Sequence, residues 1–280
     1  MHLPKRTPHP HLPLSSAIAS RLEWLPSAGS TNDVLVQAAT GPSGVEWPDL
    51  AVVATDHQTA GRGRLGRTWS APAGGSLAIS VLLRPTGADG EPIPVERWGV
   101  LPLLAGIAMS QVIGGLAHRS SDPVMLKWPN DVLIGSRKVS GILGELLPGG
   151  AGLVIGAGVN LTLTEEQLPV PTATSLLLAG VQQIDPDAVL AGYLHDLGVL
   201  YDRWQAHGGD AVASGVIDDA VRVSATLGRA VRVELPDGAV RRGVARSLDD
   251  SGRLVVELPD GASPLVVSAG DVTHLRHDDS

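Results

Sequence analysis

Apolar positions along this chain recur with two periods, and the periods divide it into helices and strands. Ser30-Thr31-Asn32-Asp33 supplies cap residues, and Val34, Leu35 and Ala38 follow at helical spacing until Gly41-Pro42 ends the run. Arg97 to Ala117 is a longer, mostly apolar helix despite Pro102 and several glycines, and its thin polar face predicts burial on most sides. Asp187 to Ala206 is amphipathic, with Leu190, Leu194, Leu197 and Tyr201 on one stripe. Short Val/Leu/Ile-rich runs at 51–55, 77–84, 124–127, 131–134, 139–147 and 153–159 read as strands, and Leu77 to Leu83 is a buried-strand type of run. Trp128-Pro129-Asn130 forms a tight turn between two of these, and Gly135-Ser136 punctuates the next pair.

Beyond residue 223 the texture changes. Runs at 229–235, 240–247, 253–258 and 264–268 are separated by turn signals, among them Pro236-Asp237-Gly238 and Pro259-Asp260-Gly261. The heptapeptide Val-Glu-Leu-Pro-Asp-Gly-Ala occurs at 233–239 and again at 256–262, and two similar hairpins are enough to explain it. The expected fold is α+β: a mixed or antiparallel sheet with helices over 21–222, followed by a small all-β barrel over 223–280.

Composition narrows the chemistry. A chain of 280 residues with 43% hydrophobic content can bury a real core. It has no Cys, so it has no disulfide framework, thiolate metal site or Cys nucleophile. A net charge of −8 argues against general nucleic-acid binding. Met1 to Pro13 carries Lys5, Arg6, three His and four Pro, with no signal-like apolar run after it. No stretch approaches ~18 apolar residues, the length of a membrane span. Residues 1–20 read as a disordered leader, too short for a helix-turn-helix domain, on a cytoplasmic protein that uses neither membrane nor nucleic acid.

One segment breaks the acidic background. Gln58 to Trp69 places Gly61, Gly63 and Gly66 among Arg62, Arg64 and Arg67. The glycines permit close backbone approach, and each arginine offers a planar donor fork for carboxylate or phosphate. The spacing mimics a dinucleotide fingerprint, but Pro72, Gly74 and Gly75 break any helix after it, so it is a long loop between strands. No apolar stripe anchors this loop and its arginines repel one another. It is therefore expected to be disordered until an anionic ligand orders it as a lid.

Four further segments join that loop: Ser30-Thr-Asn32, Lys127-Trp-Pro-Asn-Asp131, Arg137-Lys-Val-Ser-Gly-Ile-Leu143 and Gly156-Ala-Gly-Val-Asn160. In this order and spacing, over residues 22 to 275, the chain resembles the biotin–protein ligases. It resembles the monofunctional class that lacks the DNA-binding winged helix. The resemblance implies a class II synthetase-like catalytic domain and an SH3-like C-terminal barrel. It implies that ATP and biotin give biotinyl-5′-AMP and pyrophosphate, with Mg²⁺ as counter-ion and no dedicated protein metal site. A lysine on the biotin carboxyl carrier domain of an acetyl-CoA, acyl-CoA or pyruvate carboxylase then takes the biotin, from an enzyme expected to be a monomer or weak homodimer.

The resemblance places Lys138, Arg62 and Arg64 as the catalytic cations, with Lys138 reaching both the biotin carboxylate and the α-phosphate. It places Ser30, Thr31, Asn32, Gln58, Gly61, Gly63, Arg67, Trp69, Gly141 and Asn160 around biotin or its adenylate. A plain helix cap accounts equally well for Ser30 to Asn32. Trp69 and Trp128 are candidate flat walls for biotin or adenine, with core packing as the competing account. Asn130 and Asp131 are candidates for nucleotide and Mg²⁺-bound phosphate, unless they only make the turn. His57 is discounted, because a carboxylate nucleophile needs no base. The competing functions are a lipoate- or octanoyl-protein ligase, a biotin-responsive repressor and a catalytically idle biotin-binding module.

Overall fold

The computed structural model describes residues 11–235, 238–268 and 271–274. A seven-stranded sheet organises the chain up to residue 160. Its strands are β1 (Arg21–Trp24), β2 (Ala51–Thr55), β5 (Ser76–Leu83), β6 (Val124–Lys127), β7 (Asp131–Ile134), β8 (Arg137–Leu146) and β9 (Leu153–Asn160). The spatial order is β1-β2-β5-β9-β8-β7-β6. β1 lies parallel to β2, and every other pairing is antiparallel, so the sheet is mixed as expected. Between β2 and β5 lies a minor hairpin of β3 (Gly61–Arg62) and β4 (Thr68–Trp69).

Side-chain alternation gives the sheet two buried faces. Val52, Ala54, Ile79, Val81, Ile155 and Ala157 join the apolar cluster that includes α3 (Leu101–Leu116), and α3 is covered in turn by α4 (Pro186–Ala206). Ala51, Val53, Leu82 and Val154 face Leu35 and Ala39 of α2 (Thr31–Thr40). By length and composition the helical segment Val95–Leu116 could cross a membrane, with mean hydropathy 1.7. That corrects the expectation that no stretch comes near this length. Here the segment is the core helix, sandwiched between sheet and α4, which is why it needs so little polar face.

The leader expected to be disordered over 1–20 is built from residue 12 onward. Leu12 is buried, and α1 (Pro13–Ser16) docks on α4. Asp187 accepts hydrogen bonds from Leu14 N, Ser15 N and Ser15 Oγ at 2.6–3.0 Å. One buried carboxylate thus satisfies the open end of that turn, which composition cannot reveal.

The C-terminal part contains α5 (Val216–Arg222), then β10 (Ala230–Glu234), β11 (Val240–Leu248), β12 (Leu254–Glu257), β13 (Leu265–Val267) and β14 (Asp271–His274). These strands form an antiparallel sheet of order β13-β12-β11-β10-β14. The Pro236-Asp237 part of the first turn signal lies outside the described residues. Val231, Val233, Ala245, Leu254, Val256 and Val272 belong to the same apolar cluster as the α3 face of the large sheet. Leu126 N and Ala225 N bond to Val223 O and Leu126 O, which stitches β6 to the linker.

His274 sits in this junction with Nε2 3.1 Å from Thr226 Oγ1. Burial, together with the nearby charges of Lys127 and Arg229, pushes its imidazole down to about 4. The unfolded chain therefore takes up this proton first, near the ordinary histidine value of about 6.5. The contribution is intact above that pH and is lost as pH falls from about 6.5 to about 4. Thermal unfolding should show a wild-type melting temperature that declines across this window more steeply than that of His274→Gln. Parallel curves would show that His274 is not responsible.

Candidate functional site

The α2 face of the large sheet is where the sequence motifs meet. On β9 this face is formed by Gly156 and Gly158, opposite Leu143 and Gly141 of β8. Paired glycines inside strands mark a close approach, and both are filled from outside. A Cβ on Gly158 would lie 2.6 Å from the Trp69 indole, and one on Gly156 would overlap the Asn32 amide. A Cβ on Gly141 would stand 2.8 Å from Lys138 Nζ. These glycines create a slot with the two aromatic and amide groups lying across it.

α2 delivers its first turn to this slot. Ser30 caps the helix, its Oγ accepting from Asp33 N. Thr31 and Asn32 are buried, at 3% and 4% exposure, so the motif is more than a surface cap. Gln58 Oε1 accepts from Thr31 N at 2.8 Å. Ser80 Oγ of β5 lies 2.8 Å from Thr31 Oγ1 and 2.6 Å from Asn32 Oδ1. Asn32 Nδ2 donates to Glu145 Oε1 at 2.6 Å.

Lys138 reaches the same face because of a β-bulge. Gly141, Leu143 and Glu145 alternate onto the α2 face, so regular alternation would turn residue 138 the other way. The β7–β8 register shifts instead: Val132 pairs with Ser140, but Leu133 pairs with Lys138, leaving Val139 as the extra residue. The bulge restores Lys138 to the side of Asp131 and Gly141. Its Nζ lies 2.6 Å from Asp131 Oδ1 and 5.9 Å from the Trp69 ring centroid.

The arginine loop is a formed hairpin rather than the unanchored segment expected. Gly61 pairs with Trp69 and Arg62 with Thr68, and Gly63 N donates to Arg67 O. Leu65 and Gly66 at its tip both have positive φ. The mutual repulsion of the arginines is relieved by partners on other elements. Arg62 bonds Asp33 and Glu145, the latter at 2.7 Å, and Arg64 Nη1 donates to Asn130 Oδ1 at 2.8 Å. The Glu145 bond raises the Arg62 pKa further above its ordinary value.

A cavity of about 60 Å³ lies between these elements. Its lining includes Ser30, Thr31, Asn32, Gln58, Arg62, Gly63, Arg64, Trp69, Asn130, Lys138 and Gly141. Five expected site residues lie outside this lining. Gly61 is packed against Gln58 and Trp69, and the Arg67 carbonyl closes the hairpin. Asp131 meets the site through Lys138. The Asn160 amide is engaged elsewhere, donating to Thr174 O at 2.8 Å.

Trp128 is not a wall of this cavity. It is 5% exposed, and its indole donates to Gly252 O at 2.9 Å, beneath the C-terminal sheet. The competing account, core packing, is the one realised, because the β6–β7 turn is where the two sheets meet.

Ser80, Glu145, Gly156 and Gly158 also build the site, and sequence reasoning did not single them out as site residues. The glycine alternation of β9 was a usable signal, whereas nothing local distinguishes Ser80 or Glu145. Among the described residues no group of three His, Asp or Glu forms a metal cluster.

Comparison with known proteins places this arrangement. Residues 25–160 match the biotin/lipoate A/B protein ligase family, and residues 226–275 match the biotin protein ligase C terminal domain. The chain is 39% identical to the biotin--[acetyl-CoA-carboxylase] ligase of Mycobacterium tuberculosis, over 91% of this chain and 90% of that protein. It is 32% identical to the ligase of that name from Paracoccus denitrificans, over 87% and 96% of the two chains. Among solved structures, the biotin protein ligase from Aquifex aeolicus in complex with biotin and ATP superposes with a TM-score of 0.72. That pair is 25% identical and covers 91% of this chain and 100% of the other.

Proposed function

The chain belongs to the biotin–protein ligase family, and from that premise we infer how its pocket carries the reaction. The protein is a biotin--[acetyl-CoA-carboxylase] ligase that activates biotin with ATP and transfers it to a carboxylase. The observation that carries the site assignment is convergence. The buried Ser30-Thr31-Asn32 turn, the arginine hairpin and Lys138 all line one cavity.

The two ends of that cavity suit the two parts of the substrate. Biotin's ureido ring offers one carbonyl and two N–H groups, and Ser30, Thr31, Asn32 and Gln58 supply both donors and acceptors. The valeryl chain runs beside the face of Trp69 toward Lys138. There the biotin carboxylate and the α-phosphate, both anions, must be brought together. Lys138, Arg62 and Arg64 offset that repulsion and hold the reacting atoms in line. Carboxylate oxygen attacks phosphorus, pyrophosphate leaves, and the Gly61–Trp69 hairpin excludes water from the mixed anhydride.

In the second step a lysine of the carrier domain attacks the biotinyl carbonyl and AMP leaves. Mg²⁺ fits as a counter-ion of the phosphates. A hard cation with one or two protein carboxylates plus phosphate oxygens is the usual arrangement, and Asp131 offers such an oxygen beside Lys138. The expected acceptor is the biotin carboxyl carrier domain of an acyl-CoA or pyruvate carboxylase.

Incubating purified protein with a carrier domain tests this reading. Labelling of one carrier lysine that requires both ATP and biotin, and fails with lipoate, is the expected result. Lipoate transfer at a comparable rate would move the protein to the lipoate branch. The slot itself is tested by Gly158→Ala. Its methyl must displace the indole at 2.6 Å, and overpacking of this kind costs about 1–3 kcal/mol. Calorimetric biotin affinity should fall ~10-fold or more, at about 1.4 kcal/mol per decade. Unchanged affinity would mean that Trp69 does not shape the ligand site.

A further inference from the structure

Glu145 lies just beyond the Arg137–Leu143 segment and has no role assigned above, yet it occupies the centre of the polar network. Its Oε1 accepts from Asn32 Nδ2 at 2.6 Å and from Arg62 at 2.8 Å, and its Oε2 accepts from Arg62 at 2.7 Å. Both carboxylate oxygens are engaged, and the side chain is 24% exposed. Asp33, the other carboxylate on Arg62, is half exposed and has no bond to Asn32 among the described residues. Glu145 therefore joins two groups that serve opposite ends of the ligand.

The chemistry of these bonds fixes an orientation. A carboxylate only accepts, so the Asn32 amide must present Nδ2 to Glu145. Its Oδ1 then meets Ser80 Oγ at 2.6 Å. An amide oxygen only accepts, so the single Ser80 hydroxyl hydrogen goes to Asn32 rather than to Thr31. Gly156 lets the amide lie flat against β9, since a Cβ there would overlap it. The second Nδ2 hydrogen makes only a long bond of 3.5 Å to Leu143 O, and one lone pair of Oδ1 remains for a ligand. On the other side, the Glu145 bond is the leading cause of the raised Arg62 pKa. It draws the hairpin against β8.

We propose that Glu145 is a positioning residue for biotin activation: through Asn32 it orients the ureido-recognition amide, and through Arg62 it seats the phosphate-binding hairpin. This rests on the pocket assignment above. The reaction itself neither adds nor removes a proton at Glu145.

Because the two tasks need different things from the side chain, they separate. Holding Asn32 needs only an acceptor, which a glutamine oxygen supplies. Seating Arg62 needs the negative charge, since hydrogen bonds to ionised groups are roughly twice as strong as neutral ones. Full-length Glu145→Ala should weaken biotin binding and raise the KM for ATP, each ~10-fold, the scale of one such bond. Glu145→Gln should return biotin affinity to within about threefold of wild type while the raised ATP KM persists. On an Asn32→Ala background, Glu145→Ala should add nothing further to the loss of biotin affinity.

Biotin affinity would be read by calorimetry, ATP KM by pyrophosphate release and folding by thermal unfolding. Equal losses in both Glu145 variants, unchanged ligand constants with a lowered melting temperature, or tighter ATP use by either variant would each overturn the proposal. An Asn32→Ala protein that binds biotin normally would overturn the pocket assignment with it. Normal behaviour of both Glu145 variants beside a defective Asn32→Ala would overturn Glu145 alone.

Discussion

Lys138→Ala is expected to release pyrophosphate ~10²–10³-fold more slowly than wild type, the size of losing one preorganised electrostatic donor. Nζ is held by Asp131 at 2.6 Å on the cavity wall, beside the Trp69 ring. Among the described residues no other Lys lines this cavity. The fold should tolerate the change. The Lys138 side chain is 35% exposed, and ion pairs at such sites contribute only about 0–1 kcal/mol. Thermal unfolding should move little while the adenylation rate collapses. Near-normal pyrophosphate release would remove Lys138 from the chemistry and leave the arginines to carry it.

Trp128→Ala is expected to have the largest effect on stability. The indole is 5% exposed, and it donates to Gly252 O. Gly252 itself packs against Val100 and Leu103 of the core helix region. Removing the ring empties the contact between the β6–β7 turn and the C-terminal sheet. Buried Trp→Ala changes cost about 3–5 kcal/mol. At about 2–4 °C per kcal/mol for a chain near this size, the melting temperature should fall by roughly 10 °C. Biotin affinity of the folded fraction should stay near wild type, because Trp128 lies outside the cavity lining. A stable variant with lost affinity would reverse this assignment and return Trp128 to the ligand wall.

Trp128 sits in the Lys127-Trp-Pro-Asn-Asp131 segment and Lys138 in the nearby Arg137–Leu143 segment, and the first of these shows how much a motif conveys. It correctly marked a place of close packing and charge. It did not say which side of the turn each side chain takes. Trp128 goes down to the C-terminal sheet, while Asn130 goes up to Arg64. That choice depends on what covers each face, and the cover comes from far along the chain: Gly252 is 124 residues from Trp128, and Arg64 is 66 residues from Asn130.

Local periodicity was sufficient for the long elements. The caps and apolar spacing of α2, the apolar run of α3 and the stripe of α4 were all legible, because each is set by neighbours within a turn or two. Several of the short pieces were not legible. β1, β14, α1 and α5 have four to seven residues each, and elements of that size are held by their tertiary partners. Asp187 closing α1 is one such partner.

The same division runs through the site. The sequence by itself determined the ingredients: a glycine-arginine loop for anions, a polar helix start, a lysine on a hairpin and glycines in a strand. Those are properties of residue type and near spacing. Tertiary structure alone decided their alignment. The Val139 bulge brings Lys138 to the face of Gly141, and Glu145 joins Asn32 to Arg62 from 113 and 83 residues away. The physical reason is range. Hydrogen bonds and ion pairs act over a few ångströms of space, and only the folded sheet puts these residues that close.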